Sequence, residues 1–140
     1  MRVVIGITGA SGVVIGIRLA GELHARGVEV HAVVTAGARE VIRQEVGRLR
    51  WPKGVREHGE KDTDSPLYSS SFCVDAMVVA PCSMKTLSAL AHDHEENLLV
   101  RAAQAMLRTG RRLVVVPRET PLSLAALENM SALRRDGAVI

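Results

Sequence analysis

The stretch Arg2-Val3-Val4-Ile5-Gly6-Ile7-Thr8-Gly9-Ala10-Ser11-Gly12 decides the fold. Arg2 to Thr8 is β-branched and almost continuously apolar, the pattern of a strand buried on both faces of a parallel sheet. Glycines 9 and 12 break it. From Val13 to Arg26 apolar residues recur at helical spacing (Val13, Ile17, Ala20, Leu23), with Glu22 and Arg26 on the other face. Gly27 is placed to stop that helix. A second strand, Val28 to Thr35, and a second helix, Ala36 to Arg48, follow. Such a βαβα opening predicts an α/β fold with a mainly parallel sheet and right-handed crossovers, a three-layer Rossmann-like or flavodoxin-like architecture.

The rest of the chain extends the same plan within one expected domain, residues 1–140. Arg50 to Ser71 is polar, carries Pro52, Gly54, Gly59, Pro66 and a serine run, and predicts a short strand and a long loop. Asp75 to Ala80 reads as a buried strand ended by Pro81. Helical patterns cover Lys85–Ala91 and Asn97–Leu107, and Arg112–Val116 is a strand ended by Pro117. Ser123 is the candidate N-cap of a helix reaching Arg135. Gly137 closes that helix, and Ala138 to Ile140 reads as the start of one more strand.

Composition narrows the function. Lysine and arginine number 18 against 15 acids, and the arginines are spread along the whole chain. A nucleic-acid binder concentrates its charge and interleaves aromatic residues for stacking. Here Trp51, Tyr68 and Phe72 are the only aromatics, so nucleic acid is not an expected partner and most arginines read as solvated surface. Cys73 and Cys82 form neither a disulfide framework nor a metal spacing, and no metal is expected. No apolar run approaches the ~20 residues of a membrane helix, and no cleavage pattern follows the apolar start. A cytoplasmic location, with no membrane partner, is the expectation.

A strand entering a helix through a glycine turn presents unpaired N–H groups and the positive end of the helix dipole. Phosphate is the natural guest, with Ser11 adding a hydroxyl. The plainer reading of the same glycines is a turn that only packs helix on sheet. Glycines at 9, 12 and 16 lack the dinucleotide spacing, and the second strand ends Val33-Val34-Thr35-Ala36 with no acid for a ribose. No Gly-Lys-Ser/Thr loop exists. A mononucleotide phosphate remains.

Two further strand ends fall on the same sheet edge. Pro81-Cys82-Ser83-Met84-Lys85-Thr86 offers hydroxyls at a helix start, for a second anion, a ring edge or a simple N-cap. Val116-Pro117-Arg118-Glu119-Thr120-Pro121 holds a charged pair between prolines. Arg118 there can clamp a phosphate or carboxylate and Glu119 can move a proton, unless the two are only an exposed ion pair.

Together, Thr8-Gly9-Ala10-Ser11-Gly12, Pro81 to Ser88, and Pro117 to Ser123 with Leu127-Glu128-Asn129-Met130 resemble the UbiX family of flavin prenyltransferases, once described as aromatic acid decarboxylases. Asn97-Leu98-Leu99 and Arg101-Ala102-Ala103 also fit. The resemblance implies FMN as cofactor, bound between subunits of a trimer-based homo-oligomer, often a dodecamer. It implies transfer of a dimethylallyl group from dimethylallyl phosphate to reduced FMN, the product serving a UbiD-type decarboxylase. By the same resemblance Gly9, Ala10, Ser11, Thr35, Ser83, Met84, Lys85, Thr86 and Arg118 contact FMN. Ser11 and Glu45 match a proton relay, and Glu119 with Arg118 and Arg108 serves the prenyl phosphate.

The family places lysine where Arg108 stands and glycine where Ser70 stands. Its members continue past Ile140 into a segment carrying a tyrosine and a basic residue for the prenyl phosphate. A chain ending at Ile140 is therefore expected to keep the FMN half of the site and lose part of the prenyl half. Two other readings stand beside this one: a non-catalytic FMN-binding or assembly subunit, and a relative of flavin-dependent cysteine decarboxylases.

Overall fold

A computed structural model describes residues 1–140. In chain order the elements are β1 (Arg2–Ile7), α1 (Val13–Ala25), β2 (Glu29–Val34), α2 (Ala36–Glu45), β3 (Arg56–Gly59), a 3-10 turn (Pro66–Tyr68), β4 (Ala76–Cys82), α3 (Met84–Ala91), α4 (Leu98–Arg108), β5 (Arg112–Pro117) and α5 (Leu124–Arg135). The five strands form one parallel sheet in the order β3-β2-β1-β4-β5. That is the Rossmann strand order. Successive crossovers reverse direction between β1 and β4, which opens a crevice at the carboxyl ends of those two strands.

The alternation of side chains along β1 explains why its sequence is apolar throughout. Val3, Ile5 and Ile7 pack under α1 and α2 with Val13, Ala20, Ala38 and Ile42. On the other face Val4 joins Met77, Val79 and Leu113 beneath α3, α4 and α5, where Leu87, Leu99, Ala126 and Leu133 are buried. Helix α1 comes unusually close to the sheet. A Cβ on Gly16 would lie 2.1 Å from the Ala80 carbonyl oxygen, so this crossing admits only glycine.

Most boundaries fall within a residue of the sequence expectation, and three places depart from it in an instructive way. Helix α2 ends at Glu45 rather than Arg48, because Gly47 takes a left-handed conformation (φ 82°) and terminates it. Pro81 does not end β4, which runs on to Cys82. The Pro81 carbonyl still accepts bonds from Thr8, and the ladder to β5 shifts register between Val79 and Cys82, so the missing proline N–H breaks nothing. The expected strand at Ala138–Ile140 is present as one parallel bridge, Val114 with Val139.

Edge strand β3 is tied to β2 by side chains as well as by its ladder. His31 Nδ1 lies 2.8 Å from His58 Nε2, and His31 Nε2 lies 3.0 Å from Glu29 Oε1. His58 Nδ1 lies 2.8 Å from Ser65 Oγ, which also accepts the Leu67 N–H. Glu29 is held at about 2, first by its hydrogen bond from Arg2 and then by that from His31, so it is an acceptor only. The tautomers follow from that anchor. His31 donates from Nε2 to Glu29, His58 donates from Nε2 to His31 Nδ1, and the Ser65 hydroxyl donates to His58 Nδ1. Beyond β3, the Glu60 carbonyl accepts the Leu98 N–H at 2.7 Å, which fixes the start of α4.

Candidate functional site

The crevice contains a cavity of about 300 Å³ lined by Gly9, Thr35, Ala36, Gly37, Glu60, Ser83, Lys85, Thr86, Glu96 and Asn97. Three of these are helix N-caps. Thr35 Oγ1 accepts the Ala38 N–H, Ser83 Oγ accepts the Thr86 N–H, and Asn97 Oδ1 accepts the Val100 N–H. The N-termini of α2, α3 and α4 therefore converge on one space. Each brings unpaired N–H groups and a partial positive charge, which together suit an anion. Lys85 adds a full charge and pairs with Glu96 at 3.4 Å. The carboxylates of Glu60 and Glu96 make the same cavity able to accept hydrogen bonds from hydroxyl groups.

The first turn flanks this cavity. Gly9 approaches α2 so closely that a Cβ there would lie 3.0 Å from the Gly37 backbone carbon. Gly12 is the N-cap of α1 in a left-handed conformation (φ 92°), with no side-chain cap. Its N–H donates instead to both oxygens of Glu45, at 3.2 and 3.0 Å. Glu45 is held below the ordinary carboxylate range, first by a hydrogen bond from Ser11 and then by Gly12, with the Arg118 charge contributing. Ser11, Glu45 and Arg118 thus form a second group on the flank of the turn.

The structure brings together Gly9, Thr35, Ser83, Lys85 and Thr86 in the cavity, and Ser11, Glu45 and Arg118 beside it. Ala10 bridges the two, its N–H donating to the Thr8 carbonyl within the turn. The Arg118 N–H donates to the Cys82 carbonyl, placing the exposed loop after β5 against the end of β4. Glu119 is exposed and accepts the Thr120 N–H. Met84 packs against the core and is not among the cavity-lining residues. Arg108 is not brought to the cavity within the protomer. It lies at the far end of α4, 2.9 Å from Glu95 and 3.7 Å from Asp93.

Gly37, Glu60 and Glu96 line the cavity without any sequence signal that singled them out, and Asn97 was legible as the start of a helix and as part of the resemblance, not as a site residue. Cys82 is buried, and burial pushes its thiol up to about 12, so it is no nucleophile.

A Rossmann-ordered sheet with a polar cavity at its switch point, where three helix N-termini meet, is the frame of a nucleotide-binding α/β protein, and the Flavoprotein family model matches residues 1–140. The flavin prenyltransferase UbiX of Methanothermobacter thermautotrophicus is 43% identical over 143 residues, spanning 99% of this chain and 74% of that protein. The chain belongs to the UbiX group of the Flavoprotein family. The crystal structure of AnUbiX (PadA1) in complex with FMN and dimethylallyl pyrophosphate is similar at TM-score 0.91 and 41% identity, over 99% of this chain and 76% of that one. A dodecameric FMN-dependent UbiX-like decarboxylase from Escherichia coli O157:H7 is similar at TM-score 0.92 and 38% identity, over 99% of this chain and 78% of that one.

Proposed function

We propose that this protein is a flavin prenyltransferase that binds FMN and joins to it the dimethylallyl group of dimethylallyl phosphate. The observation that carries this reading is the convergence of three capped helix N-termini on the cavity beside Gly9, in a chain whose relatives are flavin prenyltransferases. Neither the cysteine decarboxylase reading nor the non-catalytic subunit is favoured by any feature of this site.

The residues present fit FMN. Its phosphate suits the N–H groups at Gly9, Ser11 and the start of α2 with the Thr35 hydroxyl, Ala10 shaping the turn by donating its own N–H to Thr8, and its ribityl hydroxyls suit Glu60, Glu96 and Asn97. In the Ser83–Thr86 turn the Ser83 and Thr86 N–H groups are already bonded within the protein, so the turn meets the ring edge with the Met84 and Lys85 N–H groups and the Thr86 hydroxyl. Reduced FMN, when bound, supplies the electron-rich ring that takes the allylic carbon. The chain's own residues manage charge and protons. Arg118 binds the departing phosphate, and Glu119 beside it relays a proton to that phosphate. Ser11 donates its Oγ–H to Glu45, which its neighbours keep ionised, so the Ser11 oxygen is placed to take up a proton released on the flavin side as its own passes to Glu45. Arg108, held by Glu95 on the far end of α4, serves the prenyl phosphate only across a subunit boundary. We therefore read the working form as a homo-oligomer, trimer-based and of dodecameric type.

The product serves a UbiD-type decarboxylase, and residues 1–140 act as one FMN-binding domain in the cytoplasm. No helix is long and apolar enough to cross a membrane. Incubating the protein with reduced FMN and dimethylallyl phosphate, then weighing the extracted flavin, tests the reading. A mass gain of one prenyl group is expected. Unchanged flavin after confirmed binding would leave only the binding subunit, and failure to bind FMN at all would overturn both.

A further inference from the structure

Thr8 closes β1 at the point where the crevice opens, and its side chain is 1% exposed. Its carbonyl accepts the Ala10 N–H within the first turn, while its N–H and its hydroxyl are directed across the crevice to the end of β4. Its N–H and its Oγ1–H both donate to the Pro81 carbonyl, at 3.2 and 2.9 Å. Its Oγ1 accepts the Ser83 N–H at 2.7 Å. A threonine here therefore does what the sheet cannot. The β1–β4 ladder pairs Val3–Gly6 with Ala76–Val79 and goes no further, so beyond Gly6 the two strands are held by Thr8.

The consequence falls on the start of α3. An α-helix leaves four N–H groups without intrahelical partners, here those of Ser83, Met84, Lys85 and Thr86. Thr8 takes the first and the Ser83 hydroxyl takes the fourth. The second and third, on Met84 and Lys85, are the two left for a ligand. Ser83 Oγ also donates to Thr86 Oγ1 at 3.2 Å, so the Ser83 hydroxyl is occupied both as donor and as acceptor. One buried hydroxyl thereby sets where the Gly9–Ser11 turn stands relative to the Ser83–Thr86 turn.

We infer that Thr8 is a positioning residue for the flavin site: it splices the two ligand-binding turns together and reserves the Met84 and Lys85 N–H groups for FMN. This rests on the FMN reading above. Valine matches threonine in shape but can neither accept from Ser83 nor donate to Pro81, and leaves a buried N–H unpaired.

The test compares Thr8→Val, Thr8→Ser and Thr109→Val. Thr109 donates its hydroxyl to the Ala105 carbonyl at the far end of α4, so its variant reports hydroxyl loss away from the site. Thr8→Val is expected to bind FMN roughly tenfold more weakly, the scale of one lost hydrogen bond. It should raise KM for FMN while kcat at saturating FMN stays within about twofold. Thr8→Ser and Thr109→Val should bind as the unchanged protein does. Equal FMN affinity in Thr8→Val overturns the inference, while an unchanged protein that binds no FMN overturns the underlying reading instead. Amide hydrogen exchange on the unchanged protein decides the matter even if Thr8→Val fails to fold. Ser83 should be protected without ligand, and Met84 and Lys85 should become protected only when FMN is added. Exchange at Ser83 as fast as at Met84 in the free protein would equally overturn the role given to Thr8.

Discussion

Replacing Gly16 by alanine sets two magnitudes against each other within one helix. Alanine in place of glycine inside a helix gains about 1 kcal/mol. At position 16, however, the new Cβ meets the Ala80 carbonyl oxygen at 2.1 Å and the Ile7 side chain at 3.0 and 3.1 Å. The oxygen belongs to the backbone of a central strand and cannot turn aside, so α1 has to retreat by more than an ångström. Overpacking of this kind costs about 1–3 kcal/mol, occasionally more. The backbone clash puts this case at the upper end, for a net loss of about 2 kcal/mol after the propensity gain. For a chain of this size that lowers Tm by about 6–8 °C. The retreat carries Gly12 and the first turn with it, so FMN affinity should fall as well. Gly21→Ala, one turn and a half along the same helix, is the internal control. Its Cβ would come no nearer than 3.9 Å to Pro52, so the propensity gain stands alone and Tm should rise by about 3 °C. Thermal melts followed by circular dichroism, with FMN titrations by fluorescence, measure both. A Gly16→Ala protein melting at or above the original temperature refutes the reasoning.

Two other outcomes follow from buried groups. His58 is held below its ordinary range, first by burial and then by the charge of His31, with Arg56 acting the same way and Asp62 opposing. The unfolded chain then binds more protons than the folded one below about pH 6.5, so stability should fall as pH drops through that value and level off below the folded pKa. Urea midpoints between pH 8 and pH 5 should show that slope, and His58→Asn should flatten it; an unchanged slope in the variant would remove the assignment. A thiol-specific disulfide reagent at pH 8 should modify Cys73, which is exposed, and reach Cys82 only in denaturant. Rapid reaction of two thiols in the folded protein contradicts the burial of Cys82.

The fold was legible because β1 and β4 carry apolar runs long enough to require cover on both faces, and because glycine turns separate them from periodic helices. Helix ends were read less well. Gly47 stops α2 three residues early through its backbone conformation, and the pattern of apolar residues before it gave no sign. The strand through Pro81 was cut short because proline removes a donor, whereas here its carbonyl does the bonding. In the site, the residues read from strand ends were legible because a parallel sheet brings those ends to one edge. Glu60 and Glu96 were not, since their places come from the loops after β3 and before α4. The glycines of the first turn mean something more specific than their sequence suggested. Gly9 makes room for α2, Gly12 caps α1 and gives its N–H to Glu45, and Gly16 admits β4, so three glycines that read together as an anion loop have separate tasks.

The side chains that join β2 to β3 can be treated as a count of protons. Glu29, His31, His58 and Ser65 are four groups with three bridges, and each bridge already holds its one hydrogen. A further proton enters most easily at the outer end of the row, where the Ser65 hydroxyl turns and accepts from His58 Nδ1; farther in, it enters only if a bridge opens. Interior strands hang on amides, which keep the same hydrogens at any pH at which the protein is folded. The edge strand β3, and with it the loop that sets Glu60 beside the cavity, therefore carries beside its amide ladder a second attachment that responds to acid.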